Sequence, residues 1–152
     1  MDLTGPMSVS TWDGFLYALV TVKVSCHYPV ERLLCTEKDT GITVRDILAI
    51  LKRQSGLNVC HLWNDNGSKF VNEIIETFYR HNGIIHETTI PYTPEQNSIA
   101  EQAIAVFFKM VQSMLHTADV SLHYWKEAFT YAIYIQSLFP TTGLQGVVPY
   151  EA

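Results

Sequence analysis

Charged residues are scarce in this chain, and basic ones especially so. Of its 152 residues, 16% are charged, and 10 Lys and Arg against 15 Asp and Glu leave a formal net charge of −5. A domain that binds nucleic acid by itself usually carries a basic face. The acidic balance argues against such an autonomous binder, but it is compatible with a catalytic domain that gains its affinity from neighbouring modules.

Cysteine is also scarce, and its spacing is irregular. Cys26, Cys35 and Cys60 form no CxxC pair, and their odd number argues against a disulfide framework. The pairs Cys26-His27 and Cys60-His61 are poor zinc ligands, because adjacent residues on a strand point to opposite faces. We expect free, buried thiols and no zinc.

Long hydrophobic runs are absent. The apolar runs are far too short to span a bilayer, and no N-terminal stretch has the charged-then-apolar layout of a signal peptide. We therefore expect an intracellular protein without a membrane partner. The length predicts one domain spanning residues 1–152, and the 47% of hydrophobic residues predicts a core of ordinary size.

The order of periodic segments predicts an α/β fold. Three early strands joined by short turns, including the Thr11–Gly14 hairpin signal, indicate an antiparallel meander. The later alternation of helices and strands indicates parallel pairing with right-handed crossovers. Both are satisfied by a mixed five-stranded sheet with helices on both faces. The expected strands after the N-terminal one are 15–24, 29–35, 57–63 and 84–90.

Two helices carry clear sequence signals. Thr43-Val44-Arg45-Asp46 resembles a capping box that would open a helix, and Gly56 would end it. A second helix is expected from about Ser98 to Ala118, with two apolar stripes. A helix that is apolar over most of its circumference is central in the fold or lies at an oligomer interface.

The segment around Asp65 is the strongest candidate for chemistry. Asp65 follows the apolar run 59–63 and precedes Asn66-Gly67, a turn dipeptide. It would therefore stand at the carboxyl end of a strand, where open α/β sheets bind ligands. Glu101 follows with 35 residues between, on the first turns of the long helix. Taken singly, Asp65 is an ordinary acid in a turn, and Glu101 is an acid that suits a helix N-terminus.

Several motifs together resemble a known family. NDNGSKF at 64–70, PYTPEQNSIAE at 91–101 and DLTGPM at 2–7 are similar to the catalytic core of copia-type retrotransposon integrases, in the retroviral integrase superfamily. WKEAFTYAIY at 125–134 and PTTGLQGVVPYEA at 140–152 resemble the end of the same region. The 35-residue spacing matches the D,D-35-E pattern of that superfamily. The resemblance implies a ribonuclease H-like fold.

The resemblance also implies a catalytic triad. Asp2, Asp65 and Glu101 match the three acids, which would hold two Mg²⁺ or Mn²⁺ ions together with DNA substrate. Two divalent ions about 3.5–4 Å apart can activate a nucleophile and stabilise the leaving oxygen of a phosphodiester. Three clustered carboxylates would repel one another without metal. Such a cluster is therefore unsuited to stabilising the fold and well suited to binding metal ions.

Other matched residues are expected to approach DNA. Gln96 and Asn97 lie in the proline-bounded loop, Asn66 and Lys69 follow the second acid, and Lys109 is the one basic residue between Glu101 and Leu115. Two of them have a plainer alternative, since Asn66 is also a typical turn residue and Lys69 is also typical of a solvated surface lysine.

The chain departs from the family in three places. Asp2 directly follows Met1, so that half of the family's first strand is missing and Asp2 is expected to fray. Residues 102–105 replace a basic and polar run, and Glu95 and Ser98 stand where the family has Gln and Gly. The family's upstream zinc module is also not present in these residues.

Two functions from different classes remain open. One is an integrase core, a polynucleotidyl transferase and endonuclease that processes DNA 3′ ends and joins them to target DNA, as a homo-oligomer in the nucleus. The other is a catalytically inactive remnant that serves as a nucleic-acid-binding or protein-interaction module. A ribonuclease H that cleaves RNA–DNA hybrids is disfavoured by the 91–97 loop and the acid spacing.

Overall fold

A computed structural model describes residues 1–56, 58–64, 70, 73–88, 98–140 and 146–151 of the chain. These residues form five strands and four α-helices, as the α/β prediction requires. Their order along the chain is β1 (Asp2–Thr4), β2 (Tyr17–Lys23), β3 (Tyr28–Leu34), α1 (Thr40–Ser55), β4 (His61–Asn64), α2 (Glu73–His81), β5 (Ile85–Thr88), α3 (Ser98–Ala118) and α4 (Trp125–Leu138).

The first three strands form the expected antiparallel meander. Their spatial order is β1-β2-β3, and Asp2 pairs with Val20 across β1 and β2. The predicted turn is present, since the Gly14 amide donates to the Thr11 carbonyl at 3.0 Å. Gly14 has a φ of 85°, a left-handed conformation that glycine adopts at little cost.

β4 and β5 form a separate parallel pair, with His61 opposite Ile85. Among the described residues the strands therefore make sheets of three and two, not the single five-stranded sheet that we predicted. A hydrogen bond of 2.8 Å from the Met1 amino group to the Trp63 carbonyl bridges the two sheets. β1 is only three residues long, and this leaves little backbone to pair with β4.

Helices cover both faces of the three-stranded sheet, as predicted. Side chains alternate across a strand, and β2 accordingly sends Leu19 to one core and Ala18 and Val20 to the other. The first core contains buried residues of α1 and α2, and the second contains buried residues of α3 and α4. We call the two sides of the sheet the α1/α2 face and the α3/α4 face.

The predicted start of α1 was wrong, whereas its end was right. The helix begins at Thr40 behind a short 3₁₀ turn, and the Thr43 hydroxyl donates to the Asp39 carbonyl at 2.9 Å instead of capping an amide. A hydroxyl can satisfy a nearby backbone group within the helix, and the local signal for a cap is then misleading. Gly56 ends the helix with a φ of 68°.

α3 spans the predicted residues and packs through one side. Its buried side chains contact the α3/α4 core, whereas Val106 and Lys109 face outward. In the second predicted stripe Phe107 is buried, whereas Ala103, Met110 and Met114 are partly buried. One side of α3 is therefore covered by the rest of this chain, and the other side is exposed. The hydrophobic residues of α3 that are buried are Ala100, Ile104, Phe107, Val111 and Leu115.

Two further expectations concern thiols and the membrane. Cys26, Cys35 and Cys60 are free thiols, but only Cys26 is buried, so the expectation of buried thiols was wrong for the other two. Across the described ranges, none of the helices combines the length and apolarity that crossing a bilayer requires.

Candidate active site

The described structure contains two of the three predicted catalytic acids. Asp65 lies outside the described residues, one position beyond the end of β4. The predicted DNA contacts Asn66, Lys69, Gln96 and Asn97 also lie outside them. The described part of the site therefore consists of Asp2, Glu101 and Lys109. It also includes β4, which precedes Asp65 in the sequence, and β5, which follows it.

Asp2 is held in the sheet at the α3/α4 face. Its register partner Val20 points to that face, and directly paired residues of antiparallel strands share a face. Leu3, one residue on, packs into the opposite core. The carboxylate oxygen Oδ1 of Asp2 accepts a hydrogen bond from the Leu3 amide at 2.8 Å.

The residue before Asp2 is also anchored, contrary to our expectation of fraying. The Met1 side chain is 6% exposed and belongs to the α1/α2 core. The Met1 amino group donates to the Trp63 carbonyl at 2.8 Å. This contact places the first residues of β1 beside β4, which leads directly to Asp65.

Glu101 lies in the first turn of α3, and its side chain is exposed. α3 packs on the same face of the sheet to which Asp2 points, because Ile104 and Phe107 share a core with Val20. Asp2 and Glu101 are therefore on one side of the sheet, although 99 positions separate them in the sequence. An acid in the first turn also favours the helix dipole.

Lys109 follows Glu101 along the same exposed row of α3. Residues at i, i+4 and i+8 of a helix lie above one another, and eight residues rise about 12 Å. Ala105, the intermediate member of this row, is exposed, as Lys109 is. The row therefore places a cation about 12 Å from the acid along the helix axis.

The donor atoms suit a hard divalent cation. Mg²⁺ and Mn²⁺ prefer oxygen ligands, and Mg²⁺ binds through one or two carboxylates together with waters and substrate phosphates. Asp2 and Glu101 supply such carboxylates on one face of the sheet. Within the described ranges no group of three His, Cys, Asp or Glu side chains is arranged to hold a metal ion, and the second acid falls outside those ranges.

A mainly apolar cavity of about 810 Å³ adjoins the neighbours of both acids. Met1 lines it next to Asp2, and Ile99 and Ala100 line it before Glu101. Its walls come from the last residues of β2 and the first residues of β4. An apolar wall is suited to packing and poorly suited to a phosphate backbone, so we place no DNA contact there.

A hydrogen-bonded chain of three side chains reaches Asn64, and sequence reasoning missed it. His86 of β5 contacts Glu76 of α2 through Nδ1 at 2.6 Å and Asn64 of β4 through Nε2 at 3.0 Å. The sequence offered one signal: side chains alternate between the two faces of a strand, so His86 is expected on the same face as Ile84. That signal does not identify either partner.

Tyr79 packs against this chain with its ring 4.9 Å from that of His86. Its side chain is buried, and its hydroxyl has no hydrogen-bond partner among the described residues. Burial raises the pKa of the Tyr79 hydroxyl, and the nearby Glu76 carboxylate raises that pKa further. The folded protein therefore strongly favours the neutral phenol.

The Tyr79→Phe variant is expected to lose less stability than the wild type as the pH rises into the alkaline range. The folded-state pKa is raised, so the neutral hydroxyl's contribution is complete below the unfolded pKa of about 10 and is lost as pH rises towards the folded pKa. At pH 8 the stability of the variant should match that of the wild type or exceed it by about 1 kcal/mol, because the substitution removes a buried hydroxyl that has no hydrogen-bond partner within the described ranges. Urea unfolding at pH 8 and pH 10.5 measures both effects.

Tyr131→Phe is the matched control for Tyr79→Phe, because the Tyr131 ring is exposed on α4. Its stability should follow the wild-type pH profile. Equal slopes above pH 10 for the wild type and Tyr79→Phe would show that the Tyr79 hydroxyl is not the buried group described here.

Curated relatives of this chain are retrotransposon polyproteins. It is 27% identical over 148 residues to a retrovirus-related Pol polyprotein from transposon TNT 1-94 of Nicotiana tabacum, covering 97% of this chain and 11% of the relative. It is 31% and 32% identical over 143 residues to those from transposons RE2 and RE1 of Arabidopsis thaliana, covering 91% of this chain and 9% of each relative. The chain spans about a tenth of the length of these relatives. No family model matches the sequence.

Solved structures share the fold. The catalytic core domain of BIV integrase superposes with a TM-score of 0.63 and 23% identity, covering 99% of this chain and 90% of that one. A chain of the simian T-cell lymphotropic virus intasome in complex with the PP2A regulatory subunit B56 gamma superposes with a TM-score of 0.73 and 14% identity. That match covers 99% of this chain and 52% of the intasome chain.

Proposed function

Because this chain is homologous to copia-type retrotransposon Pol polyproteins and has the fold of retroviral integrase catalytic cores, we propose that it is the catalytic core of an integrase. Its function is then DNA integration, with metal-dependent processing of DNA 3′ ends and their transfer to target DNA. The ribonuclease H-like fold supplies the sheet and long helix on which such a site is built.

One observation carries the proposal. Asp2 and Glu101 come from a strand and a helix that meet on one face of the sheet, and the amino group of Met1, directly before β1, contacts β4. β4 ends at Asn64, the residue before Asp65 in the sequence, and we propose that Asp65 completes the site. We also propose that β1 and β4 join the two sheets into one of five strands.

Asp2, Asp65 and Glu101 are the residues that would hold the cofactor, two Mg²⁺ or Mn²⁺ ions with substrate. Such ions activate a water or a DNA 3′-hydroxyl and stabilise the leaving oxygen. The chain itself would provide the negative charge that holds the ions, and β1 and α3 would position two of the three carboxylates. Because productive geometry is lost with displacements of about 1 Å, the anchoring of Met1 matters for Asp2.

Binding of DNA is assigned to residues around this site. Lys109, on the exposed row of Glu101, is suited to a phosphate contact. Asn66, Lys69, Gln96 and Asn97, which follow Asp65 or precede Glu101 in the sequence, would complete the contact. We further propose a homo-oligomer acting in the nucleus, for which the similarity to a chain of an intasome is the supporting observation.

The purified chain with Mn²⁺ is expected to nick or join labelled DNA ends. EDTA should abolish the reaction because the nucleophile is then not activated, and excess Mn²⁺ should restore it. Gel analysis of end-labelled duplexes measures both outcomes. Products that persist unchanged in EDTA would overturn the metal-dependent mechanism.

A second function is favoured by the outer surface of α4. Tyr131 and Tyr134 are exposed there with ring centroids 6.3 Å apart, and Leu138 and Phe139 continue the apolar surface. A contiguous exposed apolar surface is typical of a protein interface. A folded chain that neither nicks nor joins DNA with any divalent ion would support this non-catalytic module and overturn the enzyme.

A further inference from the structure

We propose that His86 is a positioning residue that sets the end of β4 and thereby the carboxylate of Asp65. The inference rests on the proposed function, since it gives His86 a role in the reaction through Asp65. His86 itself touches neither DNA nor metal in this proposal. It acts through Asn64, whose covalent neighbour is Asp65.

His86 connects three elements of the fold. Its ring lies on β5, Glu76 lies on α2, and Asn64 is the last residue of β4. The Nδ1–Glu76 Oε1 distance is 2.6 Å, and the Nε2–Asn64 Oδ1 distance is 3.0 Å. Both are within hydrogen-bonding range. The chain of contacts therefore ties the end of β4 to a helix as well as to the neighbouring strand.

The chemistry of the three groups defines the orientation of the ring. A carboxylate only accepts hydrogen bonds, so Nδ1 carries the proton that is donated to Glu76. Nε2 then faces an amide, which presents either an oxygen or an NH₂ group when it is rotated by half a turn. The contact with Asn64 can thus be satisfied whether Nε2 donates or accepts.

Burial makes this contact rigid. The His86 side chain is 6% exposed, and Asn64 is 0% exposed. The ring of Tyr79 packs 4.9 Å away and restricts the imidazole further. A buried polar group that loses its hydrogen-bond partner keeps the full free-energy cost of its desolvation. Any arrangement in which Asn64 turns away from His86 is therefore disfavoured.

A second His–Glu pair, which joins β4 and β5, shows the contrast. His61 Nδ1 lies 3.2 Å from Glu87 Oε1, but these side chains are 43% and 45% exposed. The pair lies on the opposite face of the strands, where His61 stacks on Trp63. Exposed pairs of this kind contribute little, because water screens them. His61 is therefore a matched control for His86.

Removal of the His86 side chain is expected to lower the rate of the reaction. Partners that orient a catalytic ligand typically change activity by about 10- to 100-fold when removed. His86→Ala should lower kcat for DNA joining by about that factor, with KM for DNA within about twofold of wild type. His86→Gln, which keeps an amide able to bond Asn64, should recover part of the loss. His61→Ala should behave as wild type.

Hydrogen exchange of the β4 and β5 amides gives a readout that does not need activity. In His86→Ala the amides near Asn64 should exchange faster than in wild type, whereas those in His61→Ala should not. Activities are compared per folded molecule, with the folded fraction taken from thermal unfolding, so that a loss of fold is not counted as a loss of positioning.

The outcomes separate the two proposals. A wild type that shows no metal-dependent reaction overturns the proposed function, whatever the exchange data show. An active wild type with unchanged kcat and unchanged exchange in His86→Ala overturns the positioning role alone. Equal kcat losses in His86→Ala and His61→Ala also overturn it, because the buried chain would then have no special effect.

Discussion

Glu101→Gln is expected to lower Mn²⁺-dependent joining of DNA ends by about a thousandfold or more. A metal ion is worth several kcal/mol of transition-state stabilisation, and each 1.36 kcal/mol is a factor of ten in rate. Gln is close in size to Glu but lacks its charge, so the variant tests metal binding with little change in packing. Single-turnover joining of labelled DNA measures the effect.

The matched control is Glu127→Gln. Glu127 is an exposed acid in the first turn of α4, as Glu101 is in α3. If Glu101 served only the helix dipole, both substitutions would cost about 0.3–1 kcal/mol of stability and neither would change the reaction. The metal role predicts a loss of activity in Glu101→Gln alone. Asp65→Asn should abolish the reaction in the same way.

Equal activities of the wild type and Glu101→Gln would contradict the assignment of the third acid. Loss of activity in Glu127→Gln as well would indicate a general effect of charge on the helices and not a metal site. Asp65→Asn adds an independent check, because Asp65 is on a different segment from both helices.

Phe129→Ala is expected to destabilise the protein by about 3–5 kcal/mol. Phe129 is 0% exposed in the α3/α4 core, and its ring lies 5.2 Å from that of Phe108 and 6.0 Å from that of Phe107. Its removal leaves a cavity that aromatic neighbours cannot close. Because domains of this size are stable by about 5–15 kcal/mol, the loss is a large part of the total.

Chemical denaturation followed by circular dichroism measures this effect, with Phe139→Ala as the control. Phe139 follows α4 and is 57% exposed, so its truncation should change stability by no more than about 0.5 kcal/mol. Similar losses in the two variants would contradict the assignment of Phe129 to the core. The α3/α4 core matters for the site because it holds α3, and with it Glu101, against the sheet.

Features specified by nearby residues could be predicted from the sequence. The periodic apolar residues of α3 gave the correct bounds, Ser98 and Ala118, and Gly56 correctly marked the end of α1. Both signals act within a few residues, through helical spacing and through a left-handed backbone angle. The start of α1 was wrong because a hydroxyl near a helix end has more than one local partner available.

The three acids of the candidate site remain a prediction from the sequence motifs, and one physical expectation about them, the fraying of Asp2, was wrong. The sequence placed Asp2 at a terminus, where fraying is the general rule. Long-range packing overrides that rule here, since the Met1 side chain is buried and its amino group bonds to Trp63. No local pattern contains this contact, because it joins residues 62 positions apart.

The sequence by itself determined the α/β class and the long helix, because hydrophobic periodicity is a property of the chain. Only the tertiary structure decided that Asp2 and Glu101 share one face, that the described strands pair as three and two, and that His86 links Glu76 to Asn64. These depend on which strands and helices pack together. Such packing is a balance of many distant contacts, and no single segment of the sequence specifies it.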